Sequence, residues 1–329
     1  MRVLVTGAAG FVGRNLIPML EDMGHALTLA LRTPKSEDRL PTPRTQGERR
    51  TVVIGEIDQH TDWREALQGA NAVVHLAARA HVLTETADEE TALQTINARG
   101  TERLVEQSIE AQVDRFVLMS SIGAVTTASD VLVTSETDCA PTTAYGRSKL
   151  AAERALIERS AQSSMGWTIL RPTLVYGPGN PGNMKRLVTL VKRGIPLPLG
   201  SIHNRRSFTF VGNLADVTVT ALTHPNARNT AFLVGDGEDV STPELVRKIA
   251  ALSGVRARLL NVPLPILRGI ARGSDRIAAA TGISLPLNFQ DLDRLVSSLF
   301  VEVEPLRARL DWTPPFSLDS GLRCTLSPS

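Results

Sequence analysis

Cysteine is nearly missing from this chain of 329 residues: only Cys139 and Cys324 occur, far apart and without the spacing of metal ligands. That argues against a disulfide framework and for a reducing compartment, and neither thiol has the surroundings of a nucleophile. An excess of charge is missing too. Lysines and arginines number 36 against 34 aspartates and glutamates, with no long run of one sign, so binding to nucleic acid or a polybasic membrane role has little support. The third absence is of long hydrophobic runs. No uninterrupted apolar stretch could span a bilayer, and Met1 leads directly into Arg2-Val3-Leu4-Val5-Thr6, too short for a signal-peptide core. The expectation is a soluble, cytoplasmic protein with neither nucleic acid nor membrane as partner, long enough for more than one domain.

What is present centres on Tyr145-Gly146-Arg147-Ser148-Lys149. A helix puts Tyr145 and Lys149 on one face with their polar ends side by side. An ammonium about 4 Å from a phenol, at an effective dielectric of about 20, favours the phenolate by at most about 4 kcal/mol, roughly three pKa units below the ordinary value of about 10. Such a tyrosine exchanges a proton with an alcohol or ketone near neutral pH. Tyr and Lys fall four apart on many surface helices, so the spacing takes its meaning from its neighbours. The apolar run Arg115-Phe116-Val117-Leu118 reads as a buried strand ending in Met119-Ser120-Ser121, which brings hydroxyls to the strand's carboxyl end, where open parallel sheets bind ligands.

The amino-terminal strand, Val3 to Thr6, runs into Gly7-Ala8-Ala9-Gly10-Phe11-Val12-Gly13 and then a helix with Leu16, Met19, Leu20 and Met23 at helical spacing. Glycines there let backbone amides approach a pyrophosphate at a helix amino terminus. Pro18 predicts a kink or shift near Arg14. Further strands are expected at Ala26 to Leu31, Thr51 to Ile54, Ala72 to Ala78 and Thr168 to Pro172, with a polar loop from Pro34 to Arg50. Ile57 and Asp58 follow the third strand where an adenine ring would lie, and Leu76-Ala77-Ala78 lets the backbone come close to a ribose or nicotinamide. His75 reads as a packed residue rather than a base. One long helix is expected from Asp88 to Gln112, with Asn97 on its apolar stripe either tying it to a neighbouring backbone or positioning the Lys149 hydrogen bonds. Strands alternating with helices imply an α/β fold, a doubly wound parallel sheet. After Pro172 a loop from Tyr176 to Asn183, rich in glycine and proline, opens a second lobe with a helix from Met184, a strand from Arg205, a helix from Asn213, another strand at Ala231 to Val234 and a helix capped at Ser241 or Thr242. Beyond Leu259 the signals are short and mixed.

With Thr6-Gly7-x-x-Gly10-x-x-Gly13, His75-Leu76-Ala77-Ala78, Asn97, Ser120-Ser121, Tyr145-x-x-x-Lys149 and Arg171-Pro172 together, nearly the whole chain resembles an extended short-chain dehydrogenase/reductase, of the branch holding nucleotide-sugar epimerases, dehydratases and 4-keto-sugar reductases. The resemblance implies a Rossmann-type dinucleotide domain over residues 1–172, with returns near 207–236, and a smaller mixed α/β nucleotide-sugar lobe over 173–329. It implies Ser121, Tyr145 and Lys149 as the catalytic set, with Tyr145 the acid/base and Lys149 holding the nicotinamide ribose. Gly7, Gly10, Phe11, Val12, Gly13, Arg32, Ile57, Asp58, Leu76, Ala77, Ala78, Asn97 and Pro172 would complete the cofactor site. Ser120, Ser121, Asn183, Arg206 and Arg294 would bind substrate, the arginines at a diphosphate. No metal is implied.

Departures from the family's pattern narrow the chemistry. Dehydratases carry an Asp-Glu pair directly after the active-site hydroxyl, where this chain has Ile122-Gly123; enzymes that also epimerise C3 or C5 carry a Cys close by, whereas Cys139 lies in the loop before Tyr145. Hydride transfer at one carbon remains, with C4 of a UDP-sugar as the expected position, by 4-epimerisation or 4-keto reduction. Leu31-Arg32 stands where NAD-binding members have an acid. This favours NADP, with NAD still open, because a guanidinium can pair with a 2′-phosphate and no carboxylate remains to repel it. A reductase of plant ketone-reductase type, acting on flavonoids or other aromatic ketones, stays open, although few aromatic residues are available to line its pocket. So does a regulator that binds NADP without turnover. A homodimer joined through the Asp88 to Gln112 and Tyr145 to Ser163 helices is the expected assembly.

Overall fold

The computed structural model describes residues 1–44, 47–80, 86–180, 182–281 and 289–327, with backbone alone at 275–281 and 289–291. Thr45 and Gln46 of the polar loop and Pro181 of the glycine-rich loop therefore lie outside the described residues.

Strand β1 (Arg2–Thr6) alternates its side chains between two cores, Val3 and Val5 on one face and Leu4 on the other. Gly7 follows with φ of +68°, a conformation that side-chain-bearing residues rarely adopt, and a Cβ there would lie 2.7 Å from the backbone nitrogen of Ala77. Helix α1 (Phe11–Asp22) starts at this turn and is continuous through Pro18, which is buried although it cannot donate to the preceding turn. Next come β2 (Ala26–Leu31), a 3-10 turn at Pro34–Arg39, β3 (Arg49–Val53), α2 (Arg64–Leu67) and β4 (Ala72–His75). The loop expected up to Arg50 thus contains a helical turn and ends two residues early.

The single long helix expected from Asp88 is instead three pieces: α3 (Ala87–Leu93), a π-helical turn at Gln94–Arg99, and α4 (Gly100–Glu110). β5 (Arg115–Met119), α5 (Ala144–Ser160) and β6 (Gly166–Pro172) follow, with Thr143 capping α5 by accepting from the Gly146 amide at 3.1 Å. Then come β7 (Leu174–Tyr176), α6 (Asn183–Lys192), β8 (Arg206–Phe210), α7 (Val211–Thr223), β9 (Thr230–Val234) and β10 (Asp239–Val240). The chain ends in α8 (Thr242–Leu252), α9 (Leu264–Thr281), α10 (Phe289–Val296), α11 (Glu304–Leu310) and α12 (Leu318–Leu326). So the region beyond Leu259, which reads as irregular in sequence, is largely helical.

Among the described residues, seven parallel strands make one sheet in the order β3-β2-β1-β4-β5-β6-β9. Side chains of α1 and α7 share the core on one face, and those of α4 and α5 the core on the other. This is the doubly wound Rossmann arrangement. A smaller sheet, β10-β8-β7, packs with α6, α8 and α12 around Tyr176, Phe208, Phe210 and Leu245. A buried polar knot fastens this lobe to the end of the chain. Tyr176 donates to Asp236 at 3.1 Å, and Asn213 binds both Asp236 and the backbone of Phe316. Burial pushes the Asp236 carboxyl up to about 6 despite donation from Asn213 and the Phe210 amide.

Candidate active site

The order reversal between β1 and β4 opens a cleft of about 480 Å³ at the strands' carboxyl ends, lined by Gly7 to Gly10, Leu31, Arg32, Ile57, Ala77 and Ala78. The Thr6 hydroxyl holds the approach by accepting from the Ala77 amide at 3.1 Å. Gly13 is buried, and a Cβ there would sit 2.5 Å from the carbonyl oxygens of both Gly7 and Ala8. A turn this tight, at the start of a helix and open to the cleft, fits the pyrophosphate of a dinucleotide. Of the other residues expected here, Phe11 packs against the small-sheet core, Val12 packs against the large-sheet core, and Pro172 is buried in β6. The Asp58 carboxylate caps its own turn, accepting from the His60 amide at 2.7 Å, and it is Ile57 that lines the cleft.

His75 is packed: Thr6 and Thr101 hydroxyls lie 2.7 and 2.9 Å from its two ring nitrogens, and burial together with the Lys149 charge pushes it down to about 3. Asn97, in the π turn, is also buried; its amide donates to the Ser148 hydroxyl and the Arg79 carbonyl, and its oxygen accepts from the Arg79 amide. It therefore braces α5 against the segment after β4. Its hydrogen bonds to Arg79 and Ser148 are the tie to neighbouring segments that is the first of the two roles expected for it. Wide helical turns of this kind favour functional sites because they re-aim a side chain without ending the helix.

Ser121 follows β5, accepts from the Gly123 amide at 3.0 Å, and lies with the Tyr145 ring beside Gly123, where its hydroxyl favours the ionised phenol. Lys149, one turn after Tyr145, is buried and donates to the Met119 carbonyl at 2.5 Å. Burial holds its ammonium down to about 8, partly offset by the charge of Glu153. Here the sequence expectation needs correction: burial raises the Tyr145 phenol, the nearby Ser121 hydroxyl acts to lower it, and Lys149 is engaged at Met119. The tyrosine is thus a protonated donor beside a hydroxyl.

Ser120 also departs from expectation. Its hydroxyl is bound to the carboxylate of Glu153, which is 1% exposed and also takes the Arg171 guanidinium at 2.6 Å. Ser120 is therefore part of a buried Ser-Glu-Arg cluster rather than a substrate contact. Glu153 was missed from sequence, although the four-residue repeat Tyr145, Lys149, Glu153 on α5 carries its signal. In the small lobe, Arg206 is 9% exposed and its Nη1 donates to the Arg294 and Ser297 carbonyls at 2.6 and 2.9 Å. It fastens β8 to the end of α10, which engages that nitrogen internally rather than at a diphosphate. Arg294 enters this contact through its carbonyl, its side chain being exposed. Asn183 begins α6 and borders a cavity of about 250 Å³ whose walls are otherwise almost wholly aliphatic, among them Leu187, Leu190, Leu197 and Leu199.

A glycine cleft at the switch point of a doubly wound sheet, with a Ser-Tyr-Lys set at the carboxyl end of β5, defines an oxidoreductase of the short-chain dehydrogenase/reductase class. The chain belongs to the NAD dependent epimerase/dehydratase family, whose model matches residues 3–235. It is 37% identical, over 98% of its length and 94% of the other protein's, to a UDP-glucose 4-epimerase of Vibrio cholerae. A 3-beta-hydroxysteroid dehydrogenase of Mycolicibacterium neoaurum is 26% identical over 98% of this chain and 89% of that protein. Among solved structures, MoeE5 in complex with UDP-glucuronic acid and NAD superposes with a TM-score of 0.77 at 27% identity, covering 99% of this chain and 97% of the other.

Proposed function

We propose that this protein uses NAD(P) to transfer hydride at C4 of a UDP-sugar, by 4-epimerisation or 4-keto reduction. The observation that carries the reading is Ser121 beside Tyr145 past the carboxyl end of β5, followed directly by the buried apolar turn Ile122–Ala124. Ser121 and Tyr145 hold the reacting oxygen, Tyr145 gives or takes its proton, and Lys149 lies one turn on to meet the cofactor ribose. A bound dinucleotide supplies the hydride acceptor or donor. No carboxylate follows Ser121 to serve an elimination. The Vibrio cholerae relative and the UDP-sugar bound to MoeE5 support the substrate class. A cytoplasmic homodimer paired through α4 and α5, and serving surface-polysaccharide synthesis, completes the proposal.

The test is product analysis by NMR after incubating the protein with UDP-glucose or UDP-N-acetylglucosamine, with and without added dinucleotide. Appearance of the C4 epimer, or NADPH-dependent reduction of a 4-keto sugar, is expected. A second reading, oxidation of an apolar alcohol, is favoured by the aliphatic cavity and by the steroid dehydrogenase relative. Turnover of a 3-hydroxysteroid with every UDP-sugar inert would establish that reading instead.

Cofactor choice centres on Arg32, which lines the cleft with Ser36 and Arg39 but also lies 3.5 Å from Glu56. A carboxylate is thus present after all, supplied after β3 rather than at the end of β2. Three polar side chains still face the adenosine end, so NADP is the proposed partner. Arg32→Ala should weaken NADPH binding about tenfold, the low end for a charge-assisted bond because Arg32 is exposed, and leave NADH within about threefold. Tighter binding of NADH than NADPH by the wild-type protein, measured by tryptophan quenching, would overturn the assignment.

A further inference from the structure

The near balance of charge over the whole chain conceals a local segregation. Between Leu245 and Ser274 there are six basic residues, Arg247, Lys248, Arg256, Arg258, Arg268 and Arg272, and no aspartate or glutamate, which leaves the remainder of the chain net acidic. Arg256, Arg258, Arg268 and Arg272 are all exposed. The same stretch holds three of the most exposed large aliphatic side chains of the described residues: Leu260 at 51%, Ile266 at 54% and Ile270 at 53%. Ile266 and Ile270 stand one turn apart on α9, while Leu267 and Ala271 on its inner face are 1% and 0% exposed. Arg268 and Arg272, also one turn apart, are exposed on the opposite edge of the outer face, past Gly269.

A helix already anchored by one apolar face has no folding reason to show a second to water. Exposed isoleucines on one edge of a helix and arginines on the other, with no acid between Leu245 and Ser274, are the composition of an interfacial helix. No helix among the described residues is long and apolar enough to cross a membrane, so contact of this kind would be peripheral. We propose that the outer face of α9, with the segment 256–263 leading into it, docks the protein onto an anionic lipid surface. Ile266, Ile270 and Leu260 enter the headgroup boundary, and Arg256, Arg258 and Arg268 pair with lipid phosphates. The charge complementarity selects an anionic bilayer over a second copy of this chain, whose matching face would be equally positive. This docking is independent of the reaction assigned to the cleft.

The test is co-sedimentation of the full chain with vesicles of phosphatidylglycerol and phosphatidylcholine in equal parts, and with vesicles of phosphatidylcholine alone. Binding to the anionic vesicles at low ionic strength, declining as salt is raised, is expected. Arg256→Glu/Arg258→Glu/Arg268→Glu should lower the partition at least about a hundredfold, from about fivefold for each arginine near an anionic surface. Ile266→Ser/Ile270→Ser should lower it at least about tenfold. Thermal melting establishes that each variant is folded, and the arginine set, fully on the surface, stands in if the isoleucine pair is not. Failure of the wild type to distinguish the two vesicles, or undiminished binding by the charge-reversed variant, would overturn the proposal. So would a drop in mass by light scattering for the isoleucine variant, which would assign the face to self-association.

Discussion

Tyr145→Phe is expected to lower kcat by about a thousandfold, within the range for loss of a positioned general acid/base, with KM for the sugar nucleotide changed by no more than about threefold. The ring stays, so packing against the turn after β5 is preserved; only the phenolic hydroxyl is removed. Because burial raises the phenol, the wild-type side chain is protonated at neutral pH in the absence of a further charge, ready to donate to a carbonyl oxygen. Steady-state kinetics with calorimetric titration of the sugar nucleotide separate turnover from binding. Turnover in the Phe variant within tenfold of wild type would remove Tyr145 from the acid/base role.

The second large effect is on stability. Glu153→Ala should cost about 3 to 5 kcal/mol, the usual consequence of removing one partner of a buried ion pair. The side chains of Arg171 and Glu153 are 13% and 1% exposed, so the guanidinium would remain buried without its counter-charge, and the Ser120 hydroxyl would lose its acceptor. Glu153→Gln keeps a hydrogen-bond acceptor and should cost less. Urea unfolding followed by circular dichroism reports this as a lower midpoint at unchanged slope. A loss below about 1 kcal/mol for the alanine variant would mean that Arg171 finds water or another partner. Lys149 should respond too. Glu153 raises its pKa against burial, so its removal moves the ammonium further below about 8.

The large sheet and the glycine cleft were legible because their signals are local: apolar runs of strand length, glycines at a turn, and Tyr145 four residues before Lys149. Other parts were illegible for identifiable reasons. The π turn at Gln94–Arg99 inserts one residue into a helical period, which one amphipathic stripe cannot reveal. Helix α9 was hidden by Pro263 and Pro265, which punctuate the sequence yet sit just before and within the first helical turn, where a missing amide costs little. Ser120 and Arg206 look alike in sequence whether they face a ligand or a protein partner. The protein partners they have here, Glu153 and the carbonyls of Arg294 and Ser297, come from distant parts of the chain. The pairing of Arg32 with Glu56 was invisible for the same reason, since adjacent strands bring them together.

The position of β9 bears on how the protein is made. It pairs with β6 along Thr168–Pro172, but residues 173–229, including β7, α6, β8 and α7, are synthesised between the two strands. A nascent chain leaving the ribosome can therefore assemble six strands of the large sheet while the outer edge of β6 still offers unpaired amides and carbonyls to any passing strand. The sheet closes only when part of the second lobe has emerged. For the same reason the dinucleotide domain cannot be excised by cutting after Pro172: a fragment ending there keeps the cleft and Tyr145 but exposes the β6 edge and loses α7, whose Leu214, Ala215 and Val217 fill one of the two cores.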